Sequence, residues 1–284
     1  MLLPPDEPPR RGDTPPPMAP HAGRWRLDVA WRGDAYLGWQ RQPQGPTIQQ
    51  SLEDALARIL GGERVVVEAS GRTDAGVHAA HQVVALTTAT PRRPDKLCAG
   101  LNAVLPRDIV CLRAAPAPTG FFPRTWTRSK RYRYRILNRG PRCPFRQGQV
   151  WHRPLALDAE RMHRAAQALA GHHDFSAFRA SGCTARHAVR RVVSVAVERR
   201  DEEVHIDVQG HGFLRHQIRI FAGTLVEVGR GALAPEAVSD ILAGRDREAA
   251  GPTAPACGLW LLNVEVGDGP HGGPRRSEDA DADT

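Results

Sequence analysis

Long apolar stretches are missing from this 284-residue chain. Its unbroken hydrophobic runs are a handful of residues long, such as Val65-Val66-Val67, whereas a membrane-crossing helix needs about 20. The N-terminus, MLLPPDEPPRRGDTPPPMAP, has no apolar segment of signal-peptide length, so secretion is not expected. Cysteine is scarce. The five present (Cys98, Cys111, Cys143, Cys183 and Cys257) form no Cys-x-x-Cys pair and no zinc-ligand spacing, which argues against a disulfide scaffold and a structural zinc site. Scattered thiols fit a reducing, cytoplasmic setting. No Gly-Lys-Ser/Thr marks a P-loop, and no Ser-His-Asp order or nucleophile elbow is visible. Cys183 sits in a Gly-containing loop with no triad partner evident. His172 and His173 are adjacent, so on regular structure they face apart, a poor metal pattern expected instead at a helix-end loop.

What is present is positive charge. Lys and Arg number 39 against 31 Asp and Glu, a net charge of +8. Both ends are acidic on balance, so residues 24–267 hold 35 basic and 23 acidic side chains, an excess of 12. Such an excess suits a polyanion partner, and a genome that favours Arg codons would produce it as well.

The first 20 residues contain eight prolines and little that can be buried. Residues 1–23 therefore read as a disordered leader and 268–284 as a disordered acidic tail. Between them, strand and helix periods alternate without a fixed repeat. Trp25, Leu27 and Val29 alternate with polar residues as a first strand. Thr47 opens a helix with Ile48, Leu52, Ala55, Leu56 and Ile59 on one face, ended by Gly61-Gly62. Strands are predicted over 64–69, 82–88, 109–113 and 132–137, with a helix over 95–104. In the second part Asp158 caps a helix that faces Met162, Ala165, Ala166 and Leu169 inward. Strands follow over 192–198 and 204–209, and a long helix carries Leu214, Ile218, Phe221, Leu225 and Val228. A helix over 235–243 and a strand over 259–266 close the pattern. Each part follows the split β-α-β plan, which predicts an α+β protein with a mostly antiparallel sheet and a cleft between two halves, 24–140 and 141–267. The break is expected within 140–154.

Three segments carry candidate chemistry. Gly71-Arg72-Thr73-Asp74-Ala75-Gly76-Val77-His78 lies between two predicted strands. Asp74 beside Arg72 there can be a positioned carboxylate, usable as nucleophile or base, or part of a turn that bonds its own backbone. Residues 124–135, RTWTRSKRYRYR, have six basic side chains and no acid. As a strand, Arg131, Arg133 and Arg135 face one way, and Tyr132, Tyr134 and Ile136 the other. Cations interleaved with aromatics can grip phosphates and stack bases; the same pattern also fits a solvated Arg face over a buried aromatic one. Arg215 and Arg219, four apart on the long helix, share a face with His211 and His216 nearby. They can pair a carboxylate or phosphate, or extend into solvent.

Taken in order across 24–266, these segments resemble the TruA family of tRNA pseudouridine synthases. Tyr36-Leu37-Gly38-Trp39-Gln40-Arg41-Gln42 with Thr47-Ile48-Gln49 is similar to the family's opening motif. The loop around Asp74 matches its signature, and Lys130-Arg131-Tyr132-Arg133-Tyr134 its tyrosine motif. Asp174-Phe175-Ser176-Ala177-Phe178-Arg179, Phe213-Leu214-Arg215-His216-Gln217-Ile218-Arg219, Thr253-Ala254-Pro255 and Gly258-Leu259 fit the remainder. The resemblance implies two ferredoxin-like halves with helices on one face and a basic cleft between them. It makes Asp74 the catalytic nucleophile, Arg219 its basic partner and Arg72 a residue that places the flipped base. Tyr132 would stack on the uracil, with Arg124, Arg128, Lys130, Arg131 and Arg215 on the RNA. It implies a homodimer acting on uridines 38 to 40 of the tRNA anticodon arm. The isomerisation involves no redox change and no external group, so no cofactor is expected. A related synthase with other RNA targets, or a non-catalytic RNA-binding protein, are the alternatives. Phe122 stands where a His is common, Ile220 where an Asn is, and His81 where a Gly is.

Overall fold

A computed structural model of the chain describes residues 19–270. Most of the leader and tail expected above therefore lie outside the described residues. His21–Gly23, expected in the leader, instead begin the first strand and pair with the far end of the third.

The first half runs β1 (His21–Trp31), α1 (Ile48–Leu60), β2 (Glu68–Ala69), β3 (His78–Arg92), α2 (Pro94–Val104) and β4 (Ile109–Pro116). A short helix, α3 (Pro123–Trp126), leads into β5 (Thr127–Leu137), followed by β6 (Trp151–His152), α4 (Ala159–Ala166) and β7 (Gly171–Asp174). Then come β8 (Val189–Arg200), β9 (Glu203–Gly210), α5 (Gln217–Gly229), α6 (Ala237–Gly244) and β10 (Leu259–Val266). All ten strands join one sheet, whose main path is β4-β1-β3-β10-β5-β9-β8-β7, with β2 on β3 and β6 on β5. Pairing is antiparallel except for β10 on β3 and β6 on β5.

The strand order resolves into two copies of one plan. The first half reads β4-β1-β3-β2 and the second β10-β5-β9-β8, each the 4-1-3-2 order of the ferredoxin-like split β-α-β unit. By pairing, β5 is the first strand of the second unit. The division thus falls ahead of Thr127 rather than within 140–154, because β5 hydrogen-bonds to β9 and β10. Loop composition at Gly140–Pro154 marked only a long connection inside that unit.

Two apolar cores result. One gathers Trp25, Leu27, Leu52, Leu56, Leu86 and Leu101, and the other Tyr134, Phe175, Phe178, Phe221, Ile206 and Leu225. Leu259 belongs to one and Leu261 to the other. Two apart on β10, they point to the same side of the sheet, so both cores and their helices occupy one face. Tyr132 packs against both cores and marks the seam between them.

Local chemistry explains where the elements stop. Thr47 accepts a hydrogen bond from the Gln50 amide, and Gly61 is left-handed at φ 109°, giving α1 its two ends. The predicted strand over 64–69 shrinks to two residues. Val67 gives its N–H to Glu53 and its C=O to Gln49, both side chains of α1, so those groups are not available to a neighbouring strand. Glu53, fully buried, is paired with Arg41 and Arg64. His172 and His173, expected at a helix-end loop, lie in β7 against Arg191 and Arg190. The long helix predicted from Leu214 starts at Gln217, because His216 is left-handed at φ 60°.

Candidate active site

Asp74 sits on the connection between β2 and β3, and the first half clamps that connection from several sides. The Trp39 amide donates to the Thr73 carbonyl at 3.1 Å, Gly76 donates to the Tyr36 carbonyl, and the Trp31 indole to the Val77 carbonyl. Gly38, at φ 90°, lies so close that a Cβ there would be 2.5 Å from the Thr73 oxygen. At the loop's base Ser70 bonds to Gln82, Gln82 to the Gly71 carbonyl, and Lys130 Nζ to the Ser70 carbonyl at 2.8 Å. His78 closes the segment. Its Nδ1 accepts from the Gly33 amide at 3.0 Å, its Nε2 faces the Cys257 carbonyl at 3.2 Å, and its ring stacks on Trp260. Burial pushes the His78 pKa down. The Thr73 hydroxyl, one residue from Asp74, is buried with no hydrogen-bond partner among the described residues.

The second half supplies the basic side chains. Arg219, on the first turn of α5, brings Nη1 to 3.4 Å from Asp74 Oδ2. Its Nε is held by the Ala254 carbonyl at 2.8 Å, so the Thr253-Ala254-Pro255 segment aims the guanidinium. Gly223 admits that segment to the helix: a Cβ there would fall 1.7 Å from the Pro252 oxygen. His216 Nε2 lies 3.5 Å from the same Oδ2.

Tyr132, on β5 beside this cluster, packs edge-on to Phe213 with ring centroids 5.5 Å apart. Burial raises the pKa of its hydroxyl, and the Asp74 carboxylate raises it further, so it stays a neutral phenol through the physiological range. Asp74, Arg219 and Tyr132 thus come together at the seam from three separate segments.

The other predicted residues divide. Arg72 and Arg124 are exposed, with no hydrogen bond or ion pair among the described residues. Arg128, also exposed, lies 3.9 Å from Asp268. Lys130 braces the base of the Asp74 loop. Arg215 precedes α5 and does not share a helix face with Arg219; its Nη1 reaches the Ser181 and Gly182 carbonyls. Arg131 pairs with Gln209, on the sheet face opposite Tyr132 and Asp74. Its face-mates are neutralised in bidentate pairs, Arg133 with Asp207 and Arg135 with Glu203. The basic run is therefore half structural. The acids that match it lie 68 and 74 residues away, where inspection of the run alone cannot find them.

His216, Gly38 and Ala254 are the contributors that reasoning by residue type passed over as site groups. Only His216 left a signal: it lies three residues before Arg219, the spacing of neighbours on one helix turn. Among the described residues no group of three or more His, Cys, Asp or Glu is placed to hold a metal ion, and no helix is long and apolar enough to cross a membrane.

Comparison with known proteins points the same way as this geometry. Residues 29–122 and 165–265 match a family model described as tRNA pseudouridine synthase. The chain is 47% identical over 248 residues, 87% of its own length and 93% of the other's, to tRNA pseudouridine synthase A of Myxococcus xanthus. Identity to the protein of that name from Pelobacter propionicus is 48% over 239 residues, covering 84% and 98% of the two chains. To that from Geotalea uraniireducens it is 49% over the same length and the same shares.

Proposed function

The chain belongs to the tRNA pseudouridine synthase family, and we propose that it isomerises uridine to pseudouridine in tRNA with Asp74 as the nucleophile. The observation that carries this reading is the convergence of Asp74 and Arg219 at 3.4 Å with Tyr132 beside them. Isomerisation breaks the bond from ribose C1′ to uracil N1 and forms one from C1′ to C5. The C5 proton leaves and N1 gains one, so composition is unchanged and no redox partner enters. A carboxylate can open the bond by covalent attack. Arg219 fixes its orientation and balances its charge at the seam.

The uracil has to leave its stack to be reached, at a cost of a few kcal/mol. Stacking on an aromatic ring returns about 1–3 kcal/mol, and Tyr132 offers that ring. Arg72 sits on the same loop as Asp74, suited to hold the flipped nucleotide. Exposed Arg124, Arg128 and Arg215 suit the phosphates of an RNA lying along a cleft between the halves. Arg131 is left out of that path because it faces away. The substrate in this reading is the tRNA anticodon arm, at uridines 38 to 40, bound by a homodimer in the cytoplasm.

Mapping pseudouridine in tRNA transcripts after incubation with the protein tests this assignment. New pseudouridine at 38, 39 or 40 is the expected result. Modification elsewhere would move the target, and none at all would remove the activity. Binding should also weaken steeply as salt is added.

A further inference from the structure

His216 occupies a position that its role in the fold does not explain. It is the N-cap of α5, yet its side chain makes no capping hydrogen bond, where Ser, Thr, Asp or Asn would. It is one of three non-glycine residues with positive φ among the described residues, at 60°, a conformation that costs a non-glycine residue stability and persists where surroundings enforce it. A poor cap in a strained conformation is an expensive way to begin a helix. What it achieves is the placement of Nε2 3.5 Å from Asp74 Oδ2.

That oxygen is also the one Arg219 approaches, at 3.4 Å. Both side chains thus make their approach to Oδ2 rather than Oδ1, Arg219 at 3.4 Å and His216 at 3.5 Å. We propose that His216 is a positioning residue for Asp74, a neutral Nε2–H donor that shares Oδ2 with Arg219 and leaves Oδ1 as the reacting oxygen, so that protonating the imidazole slows the reaction. The inference rests on the reading of Asp74 as nucleophile given above.

The charges around the ring make this coherent. Asp74 faces it from the β2–β3 loop, Arg219 from α5 and Arg215 from the adjoining turn. Burial holds the imidazole below its ordinary value; Asp74 pulls it up, and Arg219 and Arg215 push it down. At neutral pH it is therefore uncharged and can donate without adding a second full positive charge to the nucleophile. In acid it becomes an imidazolium on Oδ2 beside Arg219, which draws electron density from the carboxylate and weakens its attack. At 3.5 Å Nε2 needs only a small shift of either side chain to complete this hydrogen bond, and catalytic hydrogen bonds commonly tighten in the complex with substrate.

Single-turnover tritium release from C5-labelled tRNA, followed from pH 5 to 8, tests the role with two variants and an Asp74→Asn control. His216→Gln keeps an amide donor near the Nε2 position but does not titrate. It should hold the neutral-pH rate within about threefold and lose the acid fall-off seen in wild type near or below pH ~6.5. His216→Gly relieves the backbone strain and removes the donor. Its melting temperature should equal or exceed that of wild type, with KM unchanged and the single-turnover rate down about tenfold, as for one lost hydrogen bond to a charged group. A wild-type acid limb in His216→Gln, or a wild-type rate in His216→Gly, overturns the proposal while leaving Asp74's role standing. A wild type that releases no tritium, or an Asp74→Asn that releases it normally, overturns the underlying reading itself.

Discussion

Arg219 and Asp74 stand 145 residues apart in the chain and meet at 3.4 Å, one from each ferredoxin-like unit. The site exists only when both units are docked, and the parallel pairing of Trp260 and Leu261 on β10 with His78 and Ala79 on β3 joins them four residues from Asp74. Arg219 uses separate nitrogens for Ala254 and Asp74, which suits a planar guanidinium and not an ammonium. Arg219→Lys should therefore fold normally and lose roughly 10- to 100-fold in single-turnover rate, the cost of about 1.5–3 kcal/mol for a charged hydrogen bond. Rapid-quench kinetics against a melting curve checks both halves of that expectation.

Gly38 holds the Asp74 loop by leaving room for it. Gly38→Ala would add a Cβ 2.5 Å from the Thr73 carbonyl at φ 90°, forcing the loop away from Arg219. We expect a stability loss of about 1–3 kcal/mol and a turnover defect larger than the stability loss explains. Gly120→Ala is the control. Its φ is 85°, with nothing within 4 Å of the added Cβ, so it should cost stability alone. Denaturant melts and turnover on the two variants separate strain from displacement.

Tyr132→Phe keeps the ring and the contact with Phe213, so tRNA affinity should stay within about twofold, since stacking uses only the ring face. Burial and Asp74 raise the hydroxyl's pKa, so no alkaline limb below pH ~10 should belong to Tyr132. The pH–rate profiles of wild type and variant should coincide in shape on that side, whatever the difference in height.

Glu203 contributes to acid stability. Burial works to raise its pKa, but hydrogen bonds from His205 and Arg135 hold it down at about 2, against an ordinary 4.5. A carboxylate depressed in the folded state stabilises fully above its unfolded value, and that contribution is lost as pH falls from 4.5 towards 2. Glu203→Gln should melt lower at pH 7 and show a flatter decline in melting temperature across that acid window. Thermal melts at pH 7, 5, 4 and 3 provide the check.

Much of this was legible in the sequence because periodicity and caps are local. Thr47, Gly61 and Asp158 end their helices as the residue types imply, and 259–266 is the strand its alternation predicts. Asp74 and Arg219 could be singled out only through the family resemblance, since a lone Asp in a turn and an Arg on a helix edge have commoner uses. What escaped was non-local. The side chains of Gln49 and Glu53 satisfy the backbone of Val67 and dissolve a predicted strand. Asp207 and Glu203 absorb two of the five cations on β5, Arg133 and Arg135. The left-handed turn at His216 removes Arg215 from the helix and directs an imidazole at Asp74 instead.

Asp74 carries the proposed chemistry, and tritium release from tRNA labelled at uracil C5, with wild type and Asp74→Ala side by side and tRNA binding measured for both, is its most direct test. Release by the wild type alone, with similar salt-sensitive binding by each, is the predicted result. Release by Asp74→Ala at the wild-type rate would contradict it.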